Sequence, residues 1–376
     1  MQTSLLSDFD PRKTPTTQGI KYAGSKLKLL PHILSVAHDL PVKSVFDAFS
    51  GSTRVSQALA QRGYQVTAAD LSHWSYTFGQ AYLLNKKDPA EYQGLIDHLN
   101  AVEPIDGWFT EHYGGDSDAG SAVQKDGLKK PWLRKNTRKL DGIREEIDAL
   151  ELDEHAKSVA LTSLMLAMDK VDSTLGHFTS YLKKWAARAY NDVTLEVPSL
   201  FPNTETNHVL RGDVFDVIPG VETDLAYLDP PYGSNNEKMP PSRVRYQSYY
   251  HVWTSIILND KPPVFGKAAR REDTRDRESG SVFEEFRKDE EGAFIAVNAI
   301  ERLIRETRCR FIALSYSSGG RATSEELNNI LTKNGTLIKV LEVDYKKNVM
   351  AGMKWTNEWL RDADAPNREF IFVLEK

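Results

Sequence analysis

Residues 44–70 read SVFDAFSGSTRVSQALAQRGYQVTAAD, and this stretch decides the fold. Ser44–Phe49 is a short apolar run of the kind that forms a strand buried on both faces. The turn Ser50-Gly51-Ser52-Thr53 interrupts it. Val55–Arg62 then sets Val55, Ala58 and Leu59 on one face of a short helix, and Gly63 lies just past its end. Tyr64–Asp70 is a second strand. Strand, turn, helix and strand in this compass open a doubly wound α/β sheet.

The turn also carries chemistry. Gly51 lets the backbone approach a ligand, and the start of the following helix offers N–H groups. Asp70 ends the second strand 19 residues after Gly51, where it suits a ribose diol. A nicotinamide site is poorly supported, because one glycine replaces G-x-G-x-x-G and a pyrophosphate needs closer backbone approach. S-adenosylmethionine has no pyrophosphate and tolerates a side chain in the turn, with Asp47 suited to its ammonium group.

Further along, residues 85–204 are dominated by helical periodicity. Thr137–Leu152 repeats Leu140, Ile143, Ile147 and Leu150, and Ser158–Val171 is apolar on most sides, as in a buried helix. Strand-like runs return at Leu225–Leu228, Cys309–Tyr316, Leu337–Tyr345 and Glu369–Leu374. A long amphipathic helix is predicted over Glu284–Thr307. The expected organisation is a discontinuous α/β core, residues 19–84 and 205–376, interrupted by a helical insertion, 85–204. Residues 1–18 read as a loose arm.

Leu225–Tyr232 reads LAYLDPPY, an apolar strand running into two prolines that cannot continue it. The resulting stiff loop lies at the carboxyl end of a strand, where doubly wound folds place their ligands. Asp229 offers a carboxylate, Pro230 a backbone carbonyl, Pro231 a second rigid ring and Tyr232 an aromatic face. Two acceptors can take both hydrogens of an amino group while the ring stacks on a planar heterocycle.

Composition bounds the remaining choices. The 376 residues are 40% hydrophobic and 27% charged with a net charge of −5. No apolar run approaches the ~20 residues of a membrane span, and no signal-peptide core is present, so a cytoplasmic address is expected. The single cysteine, Cys309, excludes an internal disulfide and a paired-cysteine zinc site, and no metal is expected. Two stretches are basic within this acidic chain, Lys125–Lys139 and Lys261–Arg277. Charge runs are usually solvated faces. Two together fit a localised phosphate-binding surface, with Lys129, Lys130, Arg134, Lys135, Lys267, Arg270 and Arg271 as its candidate contacts. The aromatic run Tyr249–Trp253 reads equally as recognition surface and as core.

A third element, Lys21-Tyr22-Ala23-Gly24-Ser25-Lys26, precedes the first strand. In this order the three elements resemble those of the Dam-like, D12-type adenine-N6 DNA methyltransferases, whose D-P-P-Y tetrapeptide is the specific part. The resemblance implies a mostly parallel seven-stranded sheet, S-adenosylmethionine as cofactor and duplex DNA as partner. Lys21, Tyr22 and Lys26 would line the cofactor pocket, with Asp47, Phe49, Ser50 and Gly51 around the methionine part and Asp70 on the ribose. Asp213, in Arg211–Phe215, would sit near the cofactor adenine. Asp229, Pro230, Pro231 and Tyr232 would hold a flipped adenine, and Tyr316 would stack beside it. Two positions depart from the family's pattern: Ala48 stands for a proline and Thr53 for a second glycine.

Such a site methylates an exocyclic amine directly, with no covalent enzyme intermediate, so Cys309 is read as a core residue. Cytosine-N4 and RNA-adenine methylation use the same acceptor pair and stay open, although Asp229 favours N6 in DNA. A non-catalytic nucleic-acid-binding protein is a further reading, opposed by the intact D-P-P-Y element. A cognate restriction nuclease is a candidate partner.

Overall fold

The computed structural model describes residues 10, 13–233, 245–275, 281–344 and 368–376. Seven strands form one sheet: β1 (Ser44–Asp47), β2 (Gln65–Asp70), β3 (His208–Arg211), β4 (Glu222–Leu228), β5 (Arg308–Ser317), β6 (Thr336–Asp344) and β7 (Arg368–Glu375). Their order is β6-β7-β5-β4-β1-β2-β3. β7 alone runs antiparallel to its neighbours, and the other pairs are parallel. The doubly wound, mostly parallel sheet expected from residues 44–70 is the fold.

Alternate residues explain the layers. Val45, Val66, Leu225, Phe311 and Ala313 face α1 (Leu30–Asp39) and α2 (Arg54–Gln61) in one apolar cluster. Phe46, Ala226, Leu228, Ile312 and Leu314 face α7 (Ile295–Glu306) and α8 (Ser324–Asn334) in another. Period-two alternation with apolar residues on both sides is what a sheet covered by helices requires. A third cluster joins α3 (His73–Leu83) to α4 (Arg134–Ala149), α5 (Glu154–Lys170) and α6 (His251–Leu258). Eleven residues of α5, Ser158 to Met168, are buried, as its apolar circumference predicts.

Several expectations are corrected. The helix predicted from Glu284 begins only at Ile295. Before it, Asp289 accepts from the amides of Glu291 and Ala293, and Gly292 takes a φ of 84°, so the chain turns there. Residues 13–18 are not loose: Arg54, Gln57, Gln61 and Arg62 of α2 and its end donate to the carbonyls of Thr17, Gln18, Thr16 and Lys13. The Tyr249–Trp253 run is core, with Tyr250, His251, Val252 and Trp253 at most 1% exposed. Strand β3 and helix α1 add to the elements read from the sequence. No helix among the described residues is long and apolar enough to cross a membrane.

Candidate active site

Four neighbouring parallel strands deliver their carboxyl ends to one edge of the sheet. β1 ends at Asp47, β2 at Asp70 and β3 just before Asp213, and Asp229 follows β4 directly. The strand order reverses between β1 and β4, so a crevice opens there. The acids that end β2 and follow β4 are close enough to Asp47, at the end of β1, to raise its pKa.

Asp47 is buried. Ser56 Oγ donates to its Oδ2, while Oδ1 has no hydrogen-bond partner among the described residues. Burial above all pushes its carboxyl up to about 7, with Asp229 and Asp70 adding to the shift. A buried carboxylate oxygen left without a donor fits a cationic ligand. Asp70 accepts the Gly51 amide at 2.8 Å and the Ser72 amide at 2.8 Å, so it first ties the turn to β2. Gly51 takes a φ of 47°, and a Cβ there would lie 3.2 Å from the Tyr22 ring. Ser50 Oγ meets Ser75 Oγ at 3.1 Å, and Phe49 packs edge-on against Phe283. Asp213 caps the next helical turn by accepting from the Phe215 amide.

The two departures have local accounts. Thr53, in place of a second glycine, adopts φ 57° and ψ 11°. That left-handed conformation is free for glycine and costs a β-branched residue on the order of 1–2 kcal/mol. Its Oγ1 accepts from Gln57 Nε2 at 2.9 Å, a bond glycine could not make. Ala48 donates its amide to the Tyr227 carbonyl at 3.2 Å, which proline could not do, and so ties the exit of β1 to the strand that carries Asp229.

The N-terminal element folds over this edge. The Tyr22 ring lies against Gly24 and Gly51 and within 5.0–5.5 Å of Trp74, Tyr246 and Tyr250. Lys26 Nζ sits 3.0 Å from Asp229 Oδ2 and 4.9 Å from the Tyr232 ring centre. Lys21 turns elsewhere: its ammonium is held by Asp172 and the Asp169 carbonyl at the end of α5, so it anchors the segment rather than lining the pocket.

In the D-P-P-Y loop, burial raises the Asp229 carboxyl, and Lys26 opposes the shift. The Tyr232 hydroxyl donates to Asp229 Oδ1, with Glu369 Oε2 at 3.3 Å. Pro230 is buried and Pro231 partly so. Tyr316 is 2% exposed, which excludes it as an open stacking face. It stands 4.8 Å from Tyr232 between ring centres and donates to the Tyr232 carbonyl, so it buttresses the loop from behind.

A family model for the D12 class N6 adenine-specific DNA methyltransferases matches residues 22–285. The chain belongs to that family. Among its relatives, the type II methyltransferase M.NlaIII of Neisseria lactamica is 27% identical over 338 residues, covering 87% of this chain and 92% of the relative. The type II methyltransferase M.FokI of Planomicrobium okeanokoites is 27% identical over 370 residues, covering 95% and 53%. The modification methylase StsI of Streptococcus sanguinis is 26% identical over 349 residues, covering 87% and 48%. The chain thus spans about half the length of the last two. Membership implies a methyl donor, and the unpartnered Asp47 oxygen and the Gly51 turn suit one that carries positive charge.

The basic residues of the methyltransferase separate into three groups. Lys129, Lys267 and Arg270 line one cleft of about 310 Å³ with Thr179 and Phe265, and the Lys129 amide donates to the Lys267 carbonyl at 2.7 Å. The two basic stretches therefore meet. Arg134 and Lys135 are exposed at the start of α4, each paired with an aspartate, Asp116 and Asp192. Lys130 and Arg271 are removed from the surface set. Lys130 is 2% exposed and donates to the carbonyls of Glu111 and His112, closing the end of a short helix. Arg271 is 4% exposed and clamped by Asp260 and Asp273. The Cys309 thiol is pushed up to about 11 by burial, unlike a nucleophile.

Sequence reading missed Glu369, Tyr246 and Trp74 at this site. Glu369 lies 137 positions from Tyr232 on the one reversed strand, so no local motif marks it.

Proposed function

We propose that this chain transfers a methyl group from S-adenosylmethionine to N6 of an adenine flipped out of duplex DNA at a specific sequence. The observation that carries the reading is the Asp229 carboxylate and the Pro230 carbonyl at the end of β4, beside Asp47 and Asp70 at the ends of β1 and β2. The Asp47 Oδ1 atom would take the ammonium of the methionine part, and Asp70 the ribose hydroxyls. When bound, the cofactor supplies an electrophilic methyl group on a sulfonium.

Adenine N6 is a poor nucleophile because its lone pair is delocalised into the ring. Asp229 and the Pro230 carbonyl each accept one N–H, which localises the lone pair and aims it. As the N–C bond forms, Asp229 balances the charge developing on nitrogen. Burial raises its affinity for the proton that nitrogen then sheds. Tyr232 supplies the stacking face, offsetting base extrusion by roughly 1–3 kcal/mol.

The cleft of Lys129, Lys267 and Arg270 would hold backbone phosphates, with Arg134 and Lys135 contributing at longer range. A short path joins it to the pocket: Thr179 lines the cleft, His177 stacks on Tyr249 at 4.2 Å, and the Tyr250 hydroxyl accepts the Ala23 amide. The helical residues 85–204 would carry target recognition. A nuclease of the same specificity would be the partner, a reading supported by relatives named type II methyltransferases and modification methylases, and a cytoplasmic site of action is expected.

The test is to methylate a duplex of known sequence, digest it to nucleosides and identify the modified one by mass spectrometry. N6-methyladenine is expected. N4-methylcytosine, or methylation of RNA alone, would overturn the reading.

A further inference from the structure

β7 runs against its neighbours, so it begins where the parallel strands end. This brings its second residue, Glu369, paired with Ser317, to the catalytic edge of the sheet. The proposed reaction does not yet use it.

The hydrogen bonds around Asp229 raise a conflict that Glu369 resolves. Lys26 holds Asp229 Oδ2 at 3.0 Å, and the Tyr232 hydroxyl donates to Oδ1. Both oxygens of the carboxylate read as the acceptor of the target amine thus already have a donor. Each donor draws charge from a carboxylate and weakens it as an acceptor for the next. A phenol carries one proton and serves one acceptor at a time. The Tyr232 oxygen has a second carboxylate within reach, Glu369 Oε2 at 3.3 Å. That longer contact gives the one phenol proton a second acceptor beside the first. The Lys26 ammonium stays near both acids and lowers the cost of keeping two carboxylates together, as its opposing effect on each carboxyl's rise shows.

We propose that Glu369 is a positioning residue for methyl transfer, taking the Tyr232 hydroxyl from Asp229 when the target amine arrives. The exchange frees one Asp229 oxygen for the amine and fixes the Tyr232 ring in the plane that stacks on the base. No covalent bond changes; one hydrogen bond moves between two acceptors. The inference rests on the reading of Asp229 as the acceptor of the amine.

The experiment is a double-mutant cycle on the full chain, read as the single-turnover methylation rate on duplex DNA, with cofactor and DNA affinities measured separately. Glu369→Ala and Tyr232→Phe are each expected to slow transfer about tenfold, the effect of one hydrogen bond in the transition state, with affinities held within about twofold. The double variant is expected to be no slower than Tyr232→Phe, because Glu369 has nothing to hold once the hydroxyl is gone. Glu369→Gln, whose amide oxygen still accepts the phenol proton, is expected to recover most of the rate. If Glu369→Ala does not fold, Glu369→Met, of similar volume and without an acceptor, takes its place. Multiplying losses in the double variant, or a loss seen only in affinity, would overturn the exchange. Asp229→Ala separates the two levels: an active Asp229→Ala overturns the underlying reading, whereas an inactive one with independent Glu369 and Tyr232 effects overturns this inference alone.

Discussion

The acids at the sheet edge and the cations of the Lys129–Lys267 cleft hold charge in opposite ways. Asp47, Asp70 and Asp229 are placed by strand ends and packed in the interior, where burial raises each carboxyl, the other two acids add to the rise of Asp47 and Lys26 opposes that of Asp229. Lys129 and Lys267 lie at the surface, where two distant stretches meet through a backbone hydrogen bond. Between these extremes stand Lys130 and Arg271, which look the same in sequence as their neighbours but are spent on holding the fold. The comparison teaches that a buried charge near a strand end is informative about chemistry, whereas membership of a basic run is not.

The contrast can be broken most forcefully at Asp229. Asp229→Ala should slow methyl transfer by about a thousandfold, as expected for loss of a group that meets charge in the transition state. Calorimetry should find cofactor affinity changed by no more than a few-fold; joint loss of binding and transfer would merge the two roles. On the opposite side, neutralising Lys129, Lys267 and Arg270 together should weaken DNA binding about a hundredfold at moderate salt. The slope of log affinity against log salt should flatten by up to ~0.9 for each phosphate that the protein no longer neutralises. An unchanged slope in fluorescence anisotropy titrations would leave the cleft a solvated face.

Lys130→Met sharpens the same comparison from within one basic run. It leaves the Glu111 and His112 carbonyls short of a donor, so unfolding in denaturant should reveal a loss of about 1–3 kcal/mol. The salt slope of DNA binding should not move, and a change there would return Lys130 to the surface set.

The smallest expected effect is a pH dependence. The Asp47 carboxyl is held at about 7 by burial, above the ordinary range of about 4, so the folded protein binds a proton that the unfolded chain has released. Its stabilising contribution is full below about pH 4 and is lost as pH rises through about 7. Asp169 and Glu284, both pushed up to about 7 by burial, act in the same direction on the unliganded protein. A cationic cofactor takes the deprotonated Asp47. Its affinity should therefore rise about tenfold per pH unit below 7 and level off above. Titrations in buffers of different ionisation enthalpy should show a proton released on binding near pH 6. A flat affinity across this range would detach Asp47 from the cofactor.

How much of this was legible beforehand depends on the range over which each signal acts. Residues 44–70 determined the first strands, the helix between them and the turn, because period, turn residues and helix end are properties of adjacent residues. Leu225–Tyr232 determined the loop for the same reason: two prolines after an apolar run leave few conformations. β3 escaped notice because it is a four-residue edge strand with mostly exposed side chains, and such a strand leaves little hydrophobic pattern. The helix predicted from Glu284 failed at its first half because Asp289 and Gly292 form a turn that outweighs the amphipathic spacing.

Only the tertiary structure decided the rest. It set Lys21 against α5, put Tyr316 behind Tyr232, withdrew Lys130 and Arg271 into the interior and brought Glu369 to Asp229. Each of these depends on which chain segment packs on which, over separations that reach 137 positions for Tyr232 and Glu369. A residue's type states what it can donate or accept. Whether that capacity faces a ligand, water or another carbonyl is fixed by burial and by neighbours that lie far away in the chain.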